Sequence, residues 1–169
     1  MDFGKVAGVT CFDLNFSELL AKYEKSRPEL LVFCSSFHGG HMQQHWAYTC
    51  RAYFVGACSG NRLPANIWNP LGYEEARSST YLPFITHTIN LDYAVAHIDY
   101  NREKFEALKK KYGKGVNIYD PGYLGSVLIT SEMDGISATD MIREFEIELL
   151  DDYMARAAAA RYIDGRIEK

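Results

Sequence analysis

Five small, apolar or β-branched residues, Val6-Ala7-Gly8-Val9-Thr10, end on a cysteine, and a helical pattern begins within the next few positions. Such a run suits a strand buried on both faces. Phe16, Leu19, Leu20 and Tyr23 then fall at i, i+3, i+4 and i+7, and Arg27-Pro28 closes the helix they define. A second apolar run follows at residues 30–34. Strand, helix and strand at this spacing make a parallel crossover unit, which commits the chain to an α/β class.

Asn15, with Glu18 three residues on, predicts a capping box at the start of the first helix. Cys11 then lies at the carboxyl end of a strand, near the positive end of a helix, where open α/β sheets bind ligands and a thiolate is favoured. The commoner role of a cysteine ending a strand is that of a small core hydrophobe.

Along the chain, Met42, Trp46, Cys50 and Tyr53 recur at helical spacing and run into a third strand at 53–58. After a polar turn at 59–64, Asn69-Pro70-Leu71-Gly72 predicts a hairpin, with proline at the position that fixes φ. Residues 84–99 are strand-like, with Ile85, Ile89 and Leu91 on one side, so the sheet gains antiparallel members late. A helix at 102–112 ends at Gly113, Tyr119-Asp120-Pro121-Gly122 makes a turn, and a strand follows at 127–130. Ser137 with Asp140 caps a long final helix over residues 136–169, with Ile142, Phe145, Leu149 and Tyr153 as its buried stripe. The expectation is one domain over residues 1–169: α/β, with a mixed parallel and antiparallel sheet and helices packed on one face.

The segment Asp2-Phe3-Gly4-Lys5-Val6-Ala7-Gly8-Val9-Thr10-Cys11-Phe12-Asp13-Leu14-Asn15-Phe16-Ser17-Glu18 resembles the nucleophile segment of the carbon-nitrogen hydrolase (nitrilase) family. There a strand delivers the cysteine, an aromatic and an acid follow, and a phenylalanine-proline-glutamate triplet opens the helix. Here the triplet is Phe16-Ser17-Glu18, without the proline. Leu31-Val32-Phe33-Cys34-Ser35-Ser36-Phe37 resembles the next family strand and loop, and His45-Trp46 with Arg51-Ala52 the helix after it. Asn69-Pro70-Leu71-Gly72 stands where the family has a hairpin turn, and the likeness covers about residues 2–100. The glycine-x-serine often found before that hairpin is replaced by Ala65-Asn66-Ile67-Trp68.

The resemblance implies the carboxyl-terminal half, over residues 1–135, of a nitrilase-type α-β-β-α sandwich, followed by the final helix. It implies hydrolysis of a non-peptide amide, carbamoyl or nitrile carbon-nitrogen bond through a cysteine thioester. Cys11 would be the nucleophile, the backbone amide of Phe12 an oxyanion donor, and Phe37, His38 and Trp46 the substrate side. The family's glutamate base and oxyanion-holding lysine lie upstream of the cysteine, and the ten residues before Cys11 supply no glutamate and only Lys5. The activity is thus expected when a missing upstream half completes the site; the alternative is a non-catalytic α/β module with an assembly or binding role. A half domain would leave an uncovered face or edge, which predicts a homo-oligomer or a partner chain.

No cofactor is expected, and the partner is a small-molecule amide or nitrile. His38, His41 and His45 have metal-ligand spacing, but no Asp or Glu is interleaved, and flanking a Gly-Gly loop they read as solvent-side residues. A net charge of -4 gives no electrostatic footprint for nucleic acid, and Lys109-Lys110-Lys111 reads as a solvated helix face. No apolar stretch approaches the roughly 20 residues that span a bilayer, and the amino terminus has no signal-peptide pattern. A cytoplasmic protein with four free thiols is expected, since Cys11, Cys34, Cys50 and Cys58 show no C-x-x-C spacing.

Overall fold

The computed structural model describes residues 4–59, 62–163 and 165–167. Asp2 and Phe3 of the nucleophile segment, the middle of the 59–64 turn, and residues 164, 168 and 169 of the expected final helix lie outside the described residues. The fold is mixed α/β, and its contacts group into two compact units, Met1–Leu91 and Asp92–Lys169.

The first unit holds a five-stranded sheet in the order β1-β2-β3-β4-β5: Val6–Thr10, Leu30–Ser35, Tyr53–Cys58, Asn66–Trp68 and Glu74–Arg77. The first three strands are parallel, with Ala7 against Leu31 and Leu31 against Phe54, while β4 and β5 join as an antiparallel hairpin. The hairpin turn closes as expected: the Gly72 N–H donates to the Asn69 carbonyl at 2.8 Å, and Gly72 takes the left-handed φ of 77° that the turn requires.

Helices α1 (Ser17–Ser26) and α2 (His41–Cys50) cover one face of this sheet. Leu20 of α1 and Trp46, Ala47 and Cys50 of α2 pack with Val9, Leu31, Phe33 and Phe54 into one core. Both helices end on a left-handed arginine, Arg27 and Arg51, whose amide bonds back into the last turn. The expected helix start is corrected. α1 is capped by Phe16 with no side-chain bond, and a 3-10 turn over Cys11–Asn15 stands between it and β1. Leu14, fully buried, anchors that turn, and the Trp46 indole donates to its carbonyl at 3.0 Å. Tertiary anchoring thus overrides the local Asn15 cap.

Residues 84–91 carry no strand. Alternation makes a strand only where a neighbouring edge accepts its ladder, and the expected 84–99 strand is cut to β6, Tyr93–His97. Rather than extending the first sheet, β6 belongs to a separate antiparallel sheet in the second unit, of order β6-β8-β7, with β7 at Val116–Tyr119 and β8 at Ser126–Ser131. Helix α3, Arg102–Tyr112, ends at Gly113 as its sequence predicts.

The long final helix is replaced by α4, Ala138–Glu144, and α5, Leu150–Ile163. Ser137 caps α4 by accepting the Asp140 amide, as expected. The break has a tertiary cause. Buried Asn101 accepts the Glu148 N–H at 3.1 Å and donates to the Glu148 carbonyl at 2.9 Å, while Leu149 bridges to Ala96. Backbone groups that would continue the helix are spent there, and Glu146 turns through a φ of 50°. No helix among the described residues is long and apolar enough to cross a membrane.

Candidate functional site

β1 and β2 run parallel and in register to their carboxyl ends, with Thr10 opposite Cys34. The residues next in sequence after each member of this pair, Cys11 and Ser35, therefore lie at one edge. Cys11 takes a φ of 47°, a left-handed conformation that costs a residue other than glycine of order 1–3 kcal/mol and recurs at functional sites. The elbow is held from both sides. The Thr10 N–H donates to the Asp13 carboxylate at 3.3 Å, and the Asn15 amide to the Phe12 carbonyl at 3.0 Å. Leu14 presses so near Gly39 that a Cβ there would lie 2.6 Å from its methyl carbon, so the loop after β2 can approach only as glycine.

The Cys11 thiol is held below its ordinary value, chiefly by the Ser35 hydroxyl and then by the backbone N–H groups of Ser36 and Phe12, against partial desolvation and the neighbouring Asp13 carboxylate. The expected helix-terminus effect is replaced by these hydrogen bonds, because α1 begins only at Ser17. The other thiols differ. Burial pushes Cys50 up to about 12, with the Glu24 carboxylate adding to it, and burial also raises Cys58, while Cys34 is exposed.

Phe12 is 65% exposed beside the sulfur, its ring 6.0 Å from Phe16 and 6.2 Å from Phe37. Phe37, half-buried, also meets Phe33 at 6.4 Å. His38 is fully engaged: Nε2 lies 2.7 Å from the Asn66 side-chain oxygen and Nδ1 accepts the Gly40 N–H at 3.1 Å. Asn66 passes the link on to Glu74, which Arg77 clamps through two nitrogens. Trp46, expected on the substrate side, is instead 0% exposed in the core, its N–H spent on Leu14. It supports the elbow from beneath.

Three polar residues of this edge carry no signal in local pattern: Ser35, Gln43 and Asn66. Gln43, wholly buried, accepts the Trp68 indole N–H at 3.0 Å and occupies the space a Cβ on Gly56 would need. Ser35 was within reach of the sequence, since two parallel strands ending in step bring positions 11 and 35 together. A hollow of about 390 Å³ opens further along the same unit, lined by Val55, Ala57, Ile67, Phe84 and Ile85, with Cys58 on its wall. Among the described residues no group of three His, Cys, Asp or Glu side chains is placed to hold a metal ion.

Fold and site define a class: a mixed α/β chain with a cysteine, Cys11, just past the carboxyl end of a parallel strand pair. No family model matches the sequence, and no curated protein matches it. Among solved structures, one that is similar in part is the crystal structure of Saccharomyces cerevisiae Nit3, a member of branch 10 of the nitrilase superfamily, at 18% identity and a TM-score of 0.39. The match covers 44% of this chain and 33% of that one, so the chain spans about a third of the length of that structure.

Proposed function

We propose that this chain is the nucleophile-bearing, carboxyl-terminal half of a carbon-nitrogen hydrolase, acting on small non-peptide amides, carbamoylated amines or nitriles once a segment carrying a base and a lysine completes the site. The observation that carries the reading is the place of the thiol, at a left-handed strand-to-turn junction just past the carboxyl end of a parallel strand pair. For an amide, the Cys11 sulfur bonds to the carbonyl carbon, the carbon-nitrogen bond breaks, and the amine leaves with a proton. Water then cleaves the thioester and restores the thiol. In this reading the backbone amide of Phe12, the residue after the nucleophile, donates to the oxyanion as it forms. Phe37 and Phe12 offer an apolar wall to the substrate, while His38, with both ring nitrogens engaged, serves as a fixed rim residue and not as the base.

An activated ester that needs no acid catalyst tests the nucleophile in the chain as it stands. With p-nitrophenyl acetate, acetyl transfers to sulfur and p-nitrophenolate leaves, giving a burst and a mass increase on the Cys11 peptide. Cys11→Ser is expected to lose both. An acetyl group distributed over Cys34 and lysines, with Cys11 unmodified, would end the hydrolase reading.

The same reading includes association with a second copy or a partner chain. Among the described residues β1 pairs only with β2, which leaves one of its edges open. Light scattering is expected to give a mass above the 19.2 kDa of one chain; a monodisperse monomer at micromolar concentration contradicts it.

A further inference from the structure

We propose that the open end of the β4–β5 hairpin is a separate binding site, one for a small oxyanion: a phosphate ester or a carboxylate. Its place follows from strand direction. β4 runs antiparallel to β3 and β5 to β4, so β4 begins and β5 ends at the edge where β1, β2 and β3 run out, the side on which open α/β sheets bind ligands. There a hollow of about 270 Å³ lies between the chain entering β4 and the chain leaving β5, and Arg62 and Arg77 both line it. Two bonds fix its width. The Ser78 N–H donates to the Ala65 carbonyl at 2.9 Å, and the Ala65 N–H donates to the Ser78 hydroxyl oxygen at 2.8 Å.

The lining is rich in donors. Arg77 spends Nε and Nη2 on one oxygen of Glu74, which leaves Nη1 uncommitted. Among the described residues the Arg62 guanidinium has neither a hydrogen bond nor an ion pair, so its charge is uncompensated. The serines are donors for a less obvious reason. Ser78, 4% exposed, accepts the Ala65 amide, and the Ser79 hydroxyl accepts the Tyr81 and Leu82 amides at 3.3 and 3.1 Å. A hydroxyl has one proton, and with its oxygen already accepting from the backbone that proton is what it offers a ligand. Thr80 adds a third hydroxyl, and no Asp or Glu lines the hollow. Glu74, which could compete, is held by the Asn66 amide and Arg77. Guanidiniums and hydroxyls around one space without an acid match an oxyanion, which arginine takes through paired N–H groups. Leu63 and Pro64 complete the wall and give the ligand's carbon part an apolar side.

The test is an amide-shift titration of the isotope-labelled full chain with sodium phosphate and, separately, with sodium acetate. Ionic strength is held constant with sodium chloride, so that screening does not change. The backbone amides of Ala65, Ser78 and Ser79 are expected to shift and saturate in the millimolar range, while those of α1 stay still. The anion with the lower Kd names the source, a phosphate ester or a carboxylate. Arg62→Ala should weaken that anion roughly tenfold, the scale of one charge-assisted hydrogen bond. Arg62→Lys should keep part of the affinity, and Lys25→Ala, which removes an exposed cation in the last turn of α1, should leave it unchanged. Arg62 is exposed, so the spectrum away from the hairpin should not change in its variants. If Arg62→Ala does alter it, Arg62→Gln, which keeps the side chain's reach but loses the charge, decides in its place. Shifts that never saturate with either anion, or a Kd equal to that of the unmodified chain in the deciding variant, overturn the site and leave the reading of Cys11 untouched.

Discussion

The four cysteines show how position selects chemistry for one residue type. Cys50, in the core under α2, is pushed up to about 12 and stays a thiol at any physiological pH. Cys58 is raised by its burial beside Gln43. Cys11 is lowered, and the cause is local: chiefly the Ser35 hydroxyl at the end of β2, then the backbone amides of Ser36 and Phe12. Its place at a strand end was legible, because the change from an apolar run to helical spacing falls at Cys11. Of the agents that lower it, Ser35 was within reach through strand register, and the two backbone amides were not. Asn15 and Glu18 carry a complete local capping signal, yet the buried Leu14 and the Trp46 indole impose a 3-10 turn there. Trp46 was misread for the same reason: the periodicity that places a residue on a helix face does not say whether that face ends at a pocket or in the core.

At the scale of elements, the strands and helices with strong periodic pattern lie where the sequence puts them, including the β4–β5 hairpin and α3. The failures share a cause in long-range bonding. Residues 84–91 have β-branched alternation without a ladder, and residues 145–149 have helical pattern without a helix. The second case gives a prediction. Asn101 is wholly buried and makes three bonds, to the His97 carbonyl at 2.8 Å and to both backbone groups of Glu148. Asn101→Ala strands buried donors and acceptors, at roughly 1–3 kcal/mol each where water cannot reach them. Urea unfolding followed by circular dichroism is expected to show a loss of about 2–4 kcal/mol, limited by partial rehydration. Asn101→Asp keeps the acceptor for the Glu148 N–H but loses the donor, and should fall between. A stability unchanged in Asn101→Ala would mean that the α4–α5 break is set elsewhere.

For the molecule as a whole, the two compact units differ in what reports on them and in what holds them. Both tryptophans, Trp46 and Trp68, lie in the first unit, so indole fluorescence is silent about the second. The second carries three carboxyls held below their ordinary values: Asp140 by the Ser137 hydroxyl, Glu144 by the Lys111 ammonium and the Tyr112 hydroxyl, and Glu148 by the Arg156 guanidinium. A carboxyl with a lowered folded pKa adds stability that is complete above its unfolded value, 4.5 for Glu, and is lost as pH falls through the folded value. Lys111, raised above 10.5 chiefly by its bond to Glu144, adds stability that is complete below 10.5 and lost as pH rises through its folded value. The second unit should therefore lose stability below about pH 4.5 and, with Tyr112 and Tyr153 also raised from 10.0, again above about pH 10. These groups stand at the surface, so the loss is small and shrinks at high salt. Far-ultraviolet circular dichroism melts at pH 3 to 7 in low salt test this, with Glu144→Gln expected to flatten part of the acid limb. A melting temperature that holds level down to pH 3 would show that the Lys111–Glu144 and Arg156–Glu148 pairs add nothing to the folded state.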